Sequence, residues 1–307
     1  MQKTIYTAII GAPNAGKSTL LNTLAGTKIA IVSGKPQTTR VRINGIVTKD
    51  DTQFVFVDTP GMHPGVSRRK ELNRRMNKEI HAAIGDVDVC LIVVDAARAL
   101  RSGNKLPAEL SPAVNSLREL GLPAVLLLNK VDIVREKESI LSLIDTLKDT
   151  LPWLDIVPVS AAKSTGTDVI FKILSDNSSA VEGEKPLFVA EGFTFDPDLA
   201  TDQSERFFLS ELLREKLLAV LSEEIPHGID AEVESIEDGK TSAGEPLVKV
   251  GLVLSCHKQT HKGIIIGKGG AVLKKCGAAA RAEMEEYFGC KVHMSVFVKV
   301  RKKDLLG

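Results

Sequence analysis

Four cysteines in 307 residues, none of them in a C-x-x-C pair, make no disulfide framework and point to a reduced compartment. No apolar stretch reaches the ~20 residues needed to span a bilayer. The apolar run "IYTAIIGAP" begins at residue 5, too early for a charged n-region, so no cleavable signal peptide is expected and the chain reads as cytosolic. Charge of one sign is also missing: 40 Lys+Arg against 39 Asp+Glu leave +1, so any charged partner must be read from local segregation. There is no long internal repeat and no low-complexity tract. What is present, 43% apolar and 26% charged residues over a length that suits two domains, is ordinary for a globular protein.

Residues 1–175 alternate short apolar runs with amphipathic stretches. "TIYTAII", "QFVFVDT", "DVCLIVVDA", "PAVLLLNK" and "DIVPVS" read as buried strands. Helical patterns at 16–26, 69–84, 112–120 and 136–150 fall between them, which implies an α/β fold with a mostly parallel sheet and helices on both faces. The polar, turn-rich stretch 176–201 reads as a linker. A second domain, 202–307, opens with a helix over 203–223 that Asp202 and Glu205 are placed to cap. Strands "IDAEVESIE" and "PLVKVGLVLSC", a glycine loop, a helix over 270–288 and the strand "KVHMSVFVKV" follow. The order is α-β-β-α-α-β if the short turn before Gly267 is helical.

"GAPNAGKST" at 11–19 satisfies G-x-x-x-x-G-K-[ST] and stands between a strand and a helix. Backbone amides from Gly11, Ala12, Pro13, Asn14, Ala15, Gly16 and onward can wrap a phosphate chain against the helix N-terminus, less the one that proline lacks. Lys17 would reach the β- and γ-phosphates, Ser18 would ligate Mg²⁺, and Thr19 closes the motif. "DTPG" at 58–61 ends a strand, so Asp58 can hold a Mg²⁺ water, Thr59 and Pro60 lead on, and the Gly61 N–H can touch the γ-phosphate. "NKVD" at 129–132 and "SAAK" at 160–163 end two further strands, and ligands of open parallel sheets bind at those carboxyl ends.

"NKVD" selects the base. The Asp132 carboxylate can accept from both N1–H and the 2-amino group of guanine, whereas adenine would set a lone pair against it. Asn129 and Lys130 would orient and cover the ring, with Val131 between them and the aspartate. Ser160 leads into Ala161, whose N–H would read the guanine O6. The ligand implied is GTP, with GDP as product. In "KPQTTR", Thr39 is the choice for a second Mg²⁺ hydroxyl ligand, with Thr38 as the alternative. Met62, after "DTPG", can neither orient nor deprotonate a water. His63 beside Pro64 reads as a solvated loop residue. Asn14 is a candidate to bind a monovalent cation such as K⁺ beside the phosphates, and slow intrinsic turnover is expected.

"GIIIGKGGAVLKK" fails both the dinucleotide fingerprint and the nucleotide P-loop. Residues 200–307 are neutral, with 16 basic and 16 acidic side chains. Yet 246–282 carries Lys249, Lys258, Lys262, Lys268, Lys274, Lys275 and Arg281 and no acidic residue. A one-sign patch around glycines that permit close backbone approach suits a polyanion, the alternative being a plain turn between helices. "CHKQTH" at 256–261 matches no closed zinc pattern.

"GAPNAGKSTLLN", "QTTR", "DTPGMH", "RRMNKEIHAAIGDVD", "NKVD", "DIVPVSA" and "IIIGKGG" together resemble the Era family of bacterial ribosome-assembly GTPases, over nearly the whole chain. The resemblance implies a Ras-like P-loop GTPase domain followed by an α+β type II KH domain. "GKGG" would be the KH G-x-x-G clamp: Gly267, Gly269 and Gly270 admit phosphates, and Lys268 charges the loop. Lys258, Lys262, Lys274 and Lys275 surround it, and the flanking "GIII" would lie under splayed bases. The partner implied is 16S ribosomal RNA near its 3′ end, on the small ribosomal subunit. A monomer is expected, in the cytoplasm, with peripheral contact to the inner face of the membrane left open. The competing readings are a GTPase of the RNA-modification class and an RNA-binding scaffold with weak GTPase activity.

Overall fold

In the computed structural model, which describes residues 2–33, 42–58, 84–178, 190–221 and 228–301, the apolar runs of the first half build one sheet. Its strands are β1 (Lys3–Gly11), β2 (Ile43–Lys49), β3 (Thr52–Asp58), β4 (Val89–Asp95), β5 (Ala124–Asn129) and β6 (Asp155–Pro158), ordered β2-β3-β1-β4-β5-β6. Neighbours run parallel except at the edge, where β2 pairs antiparallel with β3. β3 and β5 are buried along their whole length, as strands covered on both faces must be. On one face Val55, Val57, Ile92 and Leu126 pack with Ala99, Leu117 and Leu143. These last three come from the helices α2 (Ala96–Arg101), α3 (Ser111–Leu120) and α4 (Glu138–Leu147). On the other face the Phe54 and Phe56 rings meet the Phe171 ring edge-on, at 5.1 and 5.7 Å. Phe171 belongs to α5 (Thr167–Asn177), and α1 (Lys17–Ala25) follows β1. The helical pattern expected at 69–84 lies outside the described residues up to 83.

β2 has no counterpart among the expected strands. Gly45 within it answers to packing: a Cβ there would stand 2.6 Å from Leu21 Cδ1 and 2.9 Å from Ile29 Cδ1. The helix closes on the strand only because this position has no side chain.

The chain divides into Met1–Ala30 with Pro36–Asp202, and Ile31–Lys35 with Gln203–Gly307. Of the stretch expected as a linker, α5 already covers its start, running to Asn177. Further along, residues 190–202 hang on the first unit. β7 (Ala190–Glu191) pairs antiparallel with β1. The buried Gln53 amide accepts from Thr194 N and Phe195 N at 3.0 and 2.9 Å and donates to Phe195 O at 3.0 Å. Asp202 accepts from Asn44 Nδ2 at 2.7 Å, so it is unavailable as the expected helix cap. Ser204 caps instead, its Oγ accepting from Phe207 N at 3.2 Å, and α6 runs over Glu205–Val220. A hydroxyl at N-cap competes well with a carboxylate two residues too early.

The second unit has the expected order. After α6 come β8 (Asp230–Lys240), β9 (Pro246–Cys256), α7 (Gln259–Ile266), α8 (Ala271–Phe288) and β10 (Lys291–Val300). The turn before Gly267 is therefore helical. The sheet is β10-β9-β8, with β9 central, parallel to β10 and antiparallel to β8. Leu209, Leu213 and Leu217 of α6 and Ala280 and Met284 of α8 pack on Val250, Leu252 and Leu254. Among the described residues these helices cover one face of the sheet.

Candidate functional site

The loop between β1 and α1 is held in a shape that side chains would prevent. A Cβ on Gly11 would meet Val93 O at 2.7 Å. Ala15 N donates to Ala12 O at 3.1 Å, and Asn14 takes a left-handed φ of 62°. Gly16 has φ 97°, and a Cβ there would lie 2.3 Å from Asn129 Nδ2. Pro13 and Thr19 are half-buried, while Ala12 and Ala15 are buried.

Lys17 is 7% exposed, and its ammonium donates to Gly11 O at 3.0 Å and Ala12 O at 3.4 Å. Burial pushes its pKa below the usual lysine value, and the Asp58 carboxylate opposes that shift. A desolvated ammonium at a helix N-terminus gains by meeting a polyphosphate. Ser18 Oγ donates to Asp58 Oδ2 at 2.9 Å, which brings a hydroxyl and a fully buried carboxylate together from α1 and the end of β3. Hard oxygen donors of this kind fit Mg²⁺. Thr39, Thr59, Pro60, Gly61 and Met62 lie outside the described residues.

At the base end, Asn129 is 2% exposed and ties three loops: Nδ2 donates to Ala15 O at 2.8 Å and Oδ1 accepts from Ala161 N at 3.0 Å. The Ala161 N–H, expected to read the guanine O6, is thus directed at Asn129, and contact with a base requires that bond to be shared or exchanged. Lys130, at φ 65°, donates to Asn14 O at 2.6 Å and Asp95 Oδ2 at 2.8 Å, so its stem is stretched over the loop. Val131 is half-buried, its N donating to Val159 O at 3.2 Å. Asp132 is exposed, and the buried Ser160 donates to its Oδ1 at 2.6 Å, fixing the carboxylate's direction.

Two participants escaped sequence reasoning. Asp95 anchors Lys130 while its other oxygen accepts from Arg98 N at 2.9 Å, and the visible signal was an aspartate ending the apolar run "LIVVD". Thr23 Oγ1 donates to Ala161 O at 2.8 Å, a pairing across 138 residues that no local pattern announces.

Replacing Gly16 by Ala is expected to lower GTP affinity by at least about tenfold, since a left-handed residue with a Cβ is strained by ~1–2 kcal/mol and must also displace Asn129. Calorimetric titration would show it. An unchanged affinity would mean that the loop is not held as described.

In the second unit the glycine loop joins α7 to α8. Gly267 has φ 74°, and a Cβ there would meet Val272 Cγ2 at 2.6 Å. Gly269 and Gly270 have φ 58° and 80°, and a Cβ on either would meet nothing within 4 Å, so their faces are open to an approaching chain. Lys258, Lys268, Lys274 and Lys275 are exposed and Lys262 half-buried. No acidic residue stands in the first turn of α8, whose N-terminus adds positive potential. The apolar floor is narrower than expected: Ile265 is fully buried in the core, and Ile264 is 47% exposed.

Fold and site together define a P-loop GTPase joined to a KH unit. Family models described as 50S ribosome-binding GTPase and as KH domain match residues 6–130 and 224–305. GTPase Era of Syntrophus aciditrophicus (strain SB) is 39% identical over 302 residues, 98% of this chain and 91% of the relative. The solved structure of Era in complex with MgGDPNP and nucleotides 1506–1542 of 16S ribosomal RNA aligns at TM-score 0.82 and 31% identity, over 99% of this chain and 95% of that one. An Aquifex aeolicus Era variant bound to GDP.AlF4⁻ aligns at TM-score 0.81 and 32% identity, over 98% and 95%. The chain belongs to the Era family of GTPases.

Proposed function

We propose that the chain is a GTP-hydrolysing switch that binds 16S ribosomal RNA near its 3′ end and assists small-subunit assembly in the cytoplasm. The observation that carries this is the coexistence, on one chain, of a base site set for guanine and an open glycine clamp. Asp132 is aimed by Ser160 beside a P-loop buttressed by Asn129, and Gly269 and Gly270 stand among exposed lysines. The relative solved with MgGDPNP and 16S nucleotides supports pairing the two activities. Among the described residues no helix is long and apolar enough to cross a membrane.

In this reading Lys17 and the loop amides hold the β- and γ-phosphates and Asp132 reads the base. Ser18 and Asp58 would hold Mg²⁺, which when bound neutralises charge developing on the phosphate oxygens. Thr39 and Gly61 are proposed to complete the phosphate end. Asn14, exposed on the loop, would help seat K⁺. Stimulation of turnover by K⁺ over Na⁺ is expected to fall in Asn14→Ala, and a wild type indifferent to the cation would remove Asn14 from that role.

Single-turnover GTP hydrolysis with and without an RNA spanning nucleotides 1506–1542 tests the switch. RNA is expected to change the hydrolysis rate, and GTP and RNA are expected to alter each other's affinity by the same factor, since coupling is reciprocal in binding. Binding of RNA with no GTP turnover under any condition would leave the scaffold reading instead.

A further inference from the structure

β10 turns alternate residues to opposite sides. Val292 and Val298 are buried in the core, while Lys291, His293, Ser295 and Phe297 are exposed. Phe297 is 64% exposed, more than any other large apolar side chain among the described residues of this unit. Aromatic residues make up only 4% of the chain, and a ring left in water on an edge strand contributes nothing to the core. A single exposed apolar side chain is ordinary. This one has a cation with it: Lys262 Nζ, from α7, stands 5.7 Å from the ring centroid.

The charges nearby divide into used and unused. At the end of the strand Lys299 pairs with Glu234 at 3.6 Å and Arg301 with Glu232 at 3.3 Å. Lys262 has no ion-pair partner among the described residues. It sits five residues before Gly267, about 7.5 Å along the α7 axis, so an RNA chain clamped at the glycine loop passes it within a nucleotide or two.

We infer that Phe297 is a stacking platform: the base of a nucleotide next to the clamped segment lies on its ring while Lys262 meets the adjoining phosphate. The inference rests on the RNA-binding reading above and adds to it the residue that holds a base outside the glycine clamp. Every base has a π-face, so this contact strengthens binding without choosing sequence. Stacking carries no charge, which separates it from the lysines in a salt series.

The test uses the full-length protein and the RNA spanning nucleotides 1506–1542. Phe297→Leu is expected to weaken binding about tenfold with the salt slope unchanged, and Phe297→Trp to bind like the wild type. The new tryptophan's emission should be quenched by RNA, against a wild type whose Trp153 signal is unaffected. With single abasic substitutions scanned along the RNA, the Phe297→Leu loss should vanish at one position only. Lys262→Ala should lower the salt slope by about one. An exposed position tolerates these changes, and thermal melting confirms the fold. Wild-type affinity in Phe297→Leu, with binding still lost in Gly269→Asp, overturns the inference and leaves the ring for a protein partner. No RNA binding by the wild type would instead sink the reading on which it rests.

Discussion

Asp132→Asn is expected to lower GTP affinity by roughly 100- to 1,000-fold and to turn the preference toward xanthosine triphosphate. The carboxylate accepts two hydrogens from guanine, and an amide would oppose its own N–H₂ to the 2-amino group, leaving donors unpaired at a site built for them. Xanthine carries an oxygen there and accepts the amide's hydrogen. The structure sharpens the expectation, because Ser160 donates to Asp132 Oδ1 at 2.6 Å and an asparagine oxygen can keep that bond. The side chain therefore stays aimed while its chemistry reverses. Competition of GTP and XTP for one fluorescent nucleotide reads the ratio, and an unaltered preference for GTP would remove Asp132 as base reader.

Gly269→Asp is expected to reduce RNA affinity on the order of 100-fold or more, since a carboxylate would stand where phosphates approach. This glycine is the clean choice among the three. A Cβ on Gly267 would collide with Val272 at 2.6 Å, so a loss of binding there would report damage to the turn. A Cβ on Gly269 meets nothing within 4 Å, and aspartate tolerates a φ of 58° better than most residues. The fold should stand and GTP affinity, set by a separate unit, should not change. Filter binding beside nucleotide titration on one preparation decides it. Undiminished RNA affinity would reduce the glycine loop to a turn.

Much of this was legible in the chain because it is local. The P-loop, "DTPG", "NKVD" and "SAAK" each end an apolar run, and a strand that must be buried on both faces declares itself by composition. β2 was not legible, because "NG" at 44–45 has the same appearance in a turn and under a packed helix; only the 2.6 Å approach of Leu21 separates the cases. The N-cap was misjudged for a related reason. Asp202 and Ser204 are both good caps, and the choice fell to Asn44, a residue 158 positions away that binds the aspartate.

By itself the sequence determined the ligand chemistry and the order of elements, since residue types at short spacing carry donors, acceptors and periodicity wherever they are folded. Tertiary structure decided which side chains act together. Asp95 restrains Lys130, Thr23 fixes Ala161, and Asn129 holds the phosphate loop and the base loop at once, over separations of 35 to 138 residues. It also decided that Ile265 serves the core while Phe297 faces water. The physical reason is that burial and hydrogen bonding depend on what lies across the sheet or beside the loop, and neighbours in space are set by the whole packing rather than by adjacency in the chain.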